Sequence, residues 1–219
     1  MKRSSILINS YKFLSVEGVI GVGKTTLATR LAKHYNAELI LEPVEENPFL
    51  ENFYKNVKNY AFQTQIYFLF ARYKQLQKLK QTRMFYDMVI SDYIFQKDRI
   101  FANLNLDDNE LILYEHIIKF IEPEIPKPDL VIFLQASCET IMERIKKRNR
   151  TFEQDISYDY INQLSKNYSN FFMMYKDAPV LMVNVDDVDL SKDQASIAQI
   201  IQEIEKPFKG LKFLKPISV

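Results

Sequence analysis

The sequence predicts a doubly wound α/β fold, a three-layer sandwich around a five-stranded parallel sheet, and three observations carry that expectation. Five short apolar runs (Phe13 to Glu17, Glu38 to Leu41, Met88 to Ser91, Leu130 to Leu134, Val180 to Val185) lack strict polar alternation, as strands covered on both faces do. Longer helical stretches separate them, and a βαβα alternation implies a parallel sheet with helices on either side. Finally, the chain has only four glycines, and Gly18, Gly21 and Gly23 fall within six positions directly after the first run. Ligands of such folds bind at the carboxyl ends of the strands, so the chemistry is expected at that edge.

The first run leads into Gly18-Val19-Ile20-Gly21-Val22-Gly23-Lys24-Thr25-Thr26, which matches GxxxxGK(S/T) and opens a helix over Thr25 to His34. Backbone amides of such a loop wrap phosphate oxygens, a lysine at position 24 reaches the terminal phosphates, and a threonine at position 25 ligates Mg²⁺. The fold expected is therefore a P-loop sandwich that binds a nucleoside triphosphate with Mg²⁺. The loop does not say what receives the phosphate, since switches and motors use it too.

The second run ends at Glu42, held in extended backbone by Pro43. Its carboxylate could take a proton from an acceptor hydroxyl; the other reading is a solvated loop glutamate like Glu45 and Glu46. A helix over Tyr60 to Thr82 follows, on which Gln65 and Arg72, seven residues apart, share a face, whereas Gln63 does not share it. Gln65 could read a nucleobase edge while Arg72 holds an acid such as Asp98, or both could lie on a wet face beside a packing stripe of Phe62, Ile66, Leu69 and Tyr73. The third run ends at Asp92, placed to serve magnesium; Asp129 precedes a strand and belongs at the opposite edge. Helices over Asp107 to Ile121, Cys138 to Lys147 and Tyr158 to Tyr175 complete the alternation. Arg144, Arg148 and Arg150 lie in a basic cluster that either folds over the nucleotide as a lid or complements a helix end.

Composition bounds the rest. The 219 residues are 47% hydrophobic and 26% charged, with 29 basic against 28 acidic side chains, which leaves no basic excess for coating nucleic acid. One cysteine, Cys138, cannot form an intrachain disulfide, no run reaches membrane-spanning length, and Met1 to Asn9 lacks a sustained apolar stretch. No linker or repeat divides the chain. Residues 1–219 are expected to form one domain of a cytoplasmic protein with neither membrane nor nucleic acid as partner. His34 and His116 stand alone and are read as structural.

These residues together resemble the deoxynucleoside kinase family, especially its bacterial purine branch. The resemblance runs from about Phe13 to Val185. It rests on the phosphate loop preceded by Glu17, Glu42-Pro43-Val44, Asn47-Pro48-Phe49-Leu50, Tyr60-Ala61-Phe62-Gln63-Thr64-Gln65, Asp98-Arg99-Ile100-Phe101-Ala102 and Arg144-Ile145-Lys146-Lys147-Arg148-Asn149-Arg150. It implies transfer of the ATP γ-phosphoryl group to the 5′-hydroxyl of a deoxynucleoside, deoxyadenosine or deoxyguanosine before deoxycytidine, by a homodimer acting in salvage. In it Glu42 matches the general base, Asp92 the magnesium carboxylate, Tyr54 and Glu153 the groups at the sugar 3′-hydroxyl, Gln65, Arg72 and Asp98 the base-recognition positions, and Arg144, Arg148 and Arg150 the lid arginines. One departure stands out: animal members carry an arginine after the strand-end carboxylate, and here Tyr93 follows Asp92. Two other expectations compete, a nucleoside monophosphate kinase resembling thymidylate kinase and an ATP-binding regulatory module; the carboxylate of Glu42, where the first would need cations for an acceptor phosphate, favours the nucleoside kinase.

Overall fold

The computed structural model describes residues 11–79 and 86–217. The last residues of the helix expected to reach Thr82, and Met1 to Asn9, lie outside them. All strands run parallel in the order β2-β3-β1-β4-β5-β6: β1 (Phe13–Gly18), β2 (Glu38–Ile40), β3 (Val89–Ser91), β4 (Leu130–Gln135), β5 (Val180–Asn184) and β6 (Leu211–Leu214). The five expected strands are present, and the expectation of a five-stranded sheet is corrected by the sixth. Leu211 to Leu214 pairs in parallel with Val180 to Val183. Its run is short, holds Lys212 and sits on the half-exposed edge, so it lacks the continuous apolar signature of a covered strand.

The helices are α1 (Lys24–Tyr35), α2 (Leu50–Lys55), α3 (Val57–Gln77), α4 (Lys97–Asn105), α5 (Asp108–Ile121), α6 (Cys138–Arg148), α7 (Tyr158–Met174) and α8 (Gln194–Ile204). Of these, α2, α4 and α8 were not expected. Local caps set the boundaries of several: Asn56 accepts from the Asn59 amide at the start of α3, Asp107 and Glu110 form a reciprocal capping box on α5, and Ser137 and Ser157 cap α6 and α7. None is long and apolar enough to cross a membrane.

Alternate residues along each strand feed the two helical layers. Leu14, Val16, Leu130, Ile132 and Leu134 pack under α1 and α8 against Leu27, Leu31 and Ile200. Val131 and Phe133 point the other way, into Ile141, Ile145, Tyr168 and Phe172 of α6 and α7, with the Phe133 and Phe172 rings stacked at 4.3 Å. Phe13, Val89 and Tyr93 meet Leu69, Leu76, Tyr114 and Ile118 from α3 and α5. Because β1 lies between β3 and β4, the chain reverses its direction of winding there, and a crevice opens above the carboxyl end of β1.

Candidate active site

The phosphate loop occupies that crevice. Gly21 and Gly23 have φ of +84° and +112°, and a Cβ would lie 2.7 Å from the Ile145 side chain at the first and 2.9 Å from Leu190 at the second. These positions let α6 and the β5–α8 connection press directly on the loop. Gly23 precedes α1 without a side-chain cap, so the first-turn amides of that helix are left for an anion. The ammonium of Lys24 folds back to donate to the carbonyls of Gly18 (2.8 Å) and Val19 (3.2 Å).

Two carboxylates, Glu17 and Asp92, organise the strand ends around it. Glu17, fully buried, accepts from the amides of Gly18 and Ile94 at 2.9 Å each and from the Tyr168 hydroxyl, joining β1 to the segment after β3; burial pushes its carboxyl up. Asp92 accepts from the Glu42 amide at 2.8 Å and from the Thr25 hydroxyl at 2.5 Å, so it ties the exit of β2 to the loop. Asp129 sits at the other edge, accepting from the amides of Lys12 and Phe13. Thr25 and Asp92 thus offer two adjoining hard oxygens, a donor set that suits Mg²⁺ completed by phosphates. Among the described residues no group of three or more His, Cys, Asp or Glu could hold a metal alone.

Glu42 is not a solvated loop glutamate. Its side chain is 10% exposed; Oε1 accepts from Nε (2.8 Å) and Nη2 (2.5 Å) of Arg72, and Oε2 accepts from Lys97 Nζ at 2.8 Å. Burial alone would push this carboxyl up, but the ammonium of Lys97 and the guanidinium of Arg72 outweigh it and hold it well below the usual carboxylate range. Arg72 also donates to Asp98, to which Gln65 donates its amide nitrogen. Gln65, Arg72 and Asp98 are all buried while Gln63 is exposed, so the polar pair of α3 lies on the inner face rather than a wet one. The Arg72 guanidinium rests over the Phe68 ring.

These groups converge on one cavity, with about 810 Å³ of empty space when the open solvent at its mouth is included. Lys24, Thr25 and Asp92 line it together with Glu42, Gln65 and Arg72. Tyr54 from α2 and Glu153 from a 3₁₀ turn at Thr151–Glu153 close it, and Ile20, Phe53, Phe68 and Phe101 make the apolar walls. Arg148 reaches this cavity and pairs with Glu153 through two hydrogen bonds, at 2.6 and 3.0 Å; Arg150 lies 3.3 Å from Glu45 and 3.9 Å from Glu153. Arg144 does not line this cavity. Its guanidinium donates to the carbonyls of Val22, Val185 and Val188, and it lines a second cavity that is formed by the phosphate loop from Gly21 to Thr26, Arg148, Lys147, Asp186 and Leu190. The sequence reading missed Lys97; its adjacency to Asp98, just past the end of β3, was the available signal.

Lys24 carries a pH prediction. Burial lowers its pKa, and the nearby Lys97 ammonium lowers it further, to about 8. A bound polyphosphate favours the protonated form, so triphosphate affinity is full below this value and weakens as pH rises through it, by about tenfold per unit until the bound-state pKa is passed. Titration calorimetry between pH 7 and 9.5 checks this; a constant dissociation constant across that range would show that Lys24 keeps its proton in the empty loop.

What distinguishes this arrangement from a switch or a motor is the walled cavity beyond the loop, with room for a small acceptor and a carboxylate to meet it. The class is a small-molecule phosphotransferase. The deoxynucleoside kinase family model matches residues 14–209, and the chain belongs to that family. It is 36% identical over 208 residues to the deoxyguanosine kinase of Bacillus subtilis (strain 168), an alignment covering 91% of this chain and 99% of that one. It is 33% identical to the deoxyadenosine/deoxycytidine kinase of the same organism, with 93% and 95% covered. A structure of deoxyadenosine kinase from M. mycoides with bound dATP superposes with a TM-score of 0.75 at 33% identity, covering 90% of this chain and all of that one. The chain is accordingly a kinase that phosphorylates deoxynucleosides for salvage with a nucleotide as phosphate donor, and neither a regulatory module nor a monophosphate kinase.

Proposed function

We propose that the enzyme transfers the γ-phosphoryl group of ATP to the 5′-hydroxyl of deoxyadenosine or deoxyguanosine, with deoxycytidine the next candidate. The supporting observation is that the Glu42 carboxylate stands between Lys24 of the phosphate loop and the Gln65–Arg72–Asp98 cluster at one cavity. The base lies against Phe68, where Gln65, having donated its amide nitrogen to Asp98, keeps its carbonyl oxygen for a base N–H. Tyr54 and Glu153 hold the 3′-hydroxyl, which leaves the 5′-hydroxyl at Glu42. Glu42 orients that hydroxyl and accepts its proton, and Lys24 and Arg148 hold the phosphoryl oxygens, so catalysis is mainly positioning and charge stabilisation. Mg²⁺, held by Thr25 and Asp92, would offset charge on the β- and γ-phosphates. Arg144 and Arg150 act in donor binding, Arg144 by bracing the loop at the Val22 carbonyl.

Competition among the four deoxynucleosides with ATP and Mg²⁺ is expected to favour the two purines; turnover of thymidine or deoxycytidine alone would reject the purine reading. The homodimer implied by the family is supported by apolar side chains left on one face of α5, namely Ile112, Leu113 and Phe120, the last 85% exposed, with Phe70 on α3. Light scattering is expected to give twice the chain mass, and the chain mass alone would reject the dimer. The site of action proposed is the cytoplasm.

A further inference from the structure

Tyr93 leaves the position after Asp92 without a cation: its ring is fully buried and its hydroxyl donates to Gln75 at 2.5 Å, away from the cavity. Lys97, four residues on and the first residue of α4, points inward instead. It is 3% exposed, with its ammonium 2.8 Å from Glu42 Oε2 and 3.9 Å from Glu17 Oε1, and it lines the same cavity as Lys24 and Thr25. Arg72 already supplies Glu42 with two hydrogen bonds, so a second desolvated cation is more than that carboxylate needs. Two ammoniums turned into one cavity repel each other when it is empty and are relieved by an anion between them. We propose that Lys97 is a catalytic residue of this kinase, its ammonium contacting the phosphoryl group in transfer from the acceptor side, in the place that Tyr93 leaves open.

The step balances as follows. The 5′-hydroxyl proton passes to Glu42, the O5′–Pγ bond forms as the bond from Pγ to the β,γ-bridging oxygen breaks, and ADP departs with that electron pair. Lys97 remains an ammonium throughout. As Glu42 becomes neutral, the charge Lys97 was paired with disappears, and its N–H donors turn to the nearest new charge, a non-bridging oxygen of the phosphoryl group.

The proposal rests on the reading of Glu42 as the proton acceptor, and a double-mutant cycle separates the two. Lys97→Met is expected to lower kcat by about 10²–10³-fold with little change in nucleoside KM, and Lys97→Arg to recover about tenfold or more of that loss. On a Glu42→Gln background Lys97→Met should still cost about tenfold or more, because the ammonium acts on the phosphoryl group itself. No further loss on that background would mean that Lys97 works only by placing Glu42, and would overturn the proposal. So would a single variant with near-normal kcat, or a loss confined to KM and Tm that arginine does not restore. Unimpaired turnover in Glu42→Gln beside a crippled Lys97→Met would instead reject the proton acceptor and leave Lys97 standing. Lys97→Gln replaces the methionine variant, under the same criteria, should the latter not fold.

Discussion

Replacing Glu42 by glutamine lowers kcat by about 10²–10⁴-fold while the dissociation constant for ATP stays near that of the parent enzyme. The substitution keeps the size but replaces one of two accepting oxygens with an NH₂ donor, and it removes the negative charge and the ability to take a proton. Two cations hold the carboxyl low in the empty cavity, so Glu42 is ionised at every working pH and is a weak base there. A loose phosphoryl-transfer transition state suits such a base, since the attacking hydroxyl keeps its proton until bond formation is advanced. Orienting that hydroxyl is therefore a large share of what Glu42 contributes. Steady-state kinetics beside calorimetric ATP binding checks the split, and turnover within a few-fold of the parent would take Glu42 out of this role.

Arg72→Met has the largest effect expected on stability. One guanidinium, 4% exposed, bridges Asp98, 0% exposed, and Glu42, 10% exposed. Removing it leaves the buried Asp98 ionised with only the neutral Gln65 and Tyr114 beside it, or forces it to take up a proton. Breaking a buried pair from one side costs about 3–5 kcal/mol, which in a chain of this size lowers Tm by about 6–20 °C. Adding Asp98→Asn is expected to recover part of that loss, since the orphaned charge goes, but not nucleoside binding. Recovery of stability without affinity separates the clasp that folds the cavity from the group that reads the base. A Tm within about 2 °C of the parent, with unchanged nucleoside KM, would show that water reaches Asp98 and that Arg72 is not the clasp.

The phosphate loop was legible because it is local: its conformation follows from glycines at fixed spacing after a covered strand, all within nine consecutive residues. The strands were legible for the same reason, except β6, whose lysine and exposed edge hide it. On α3 periodicity alone left two faces open, because apolar side chains such as Phe62, Ile66, Leu69 and Phe70 surround the helix. The contacts of Arg72 with Glu42 and Asp98, 30 and 26 residues away, decide the matter. Arg144 was grouped with Arg148 by their four-residue spacing, and both line the cavity at the phosphate loop, but only Arg148 also reaches the cavity of Glu42 while Arg144 is tied to the Val22 carbonyl.

By itself the sequence determined five of the strands and several of the helices between them, the phosphate loop and the carboxylates that follow β2 and β3, since these follow from neighbours along the chain. Only the tertiary structure decided that Lys97, on a short helix with no signal of its own, meets Glu42 55 residues away while Tyr93 turns into the core, away from the cavity. The physical reason is that a charge is drawn into the interior by partners the crossover connections bring to it, and spacing along the chain carries no record of those partners.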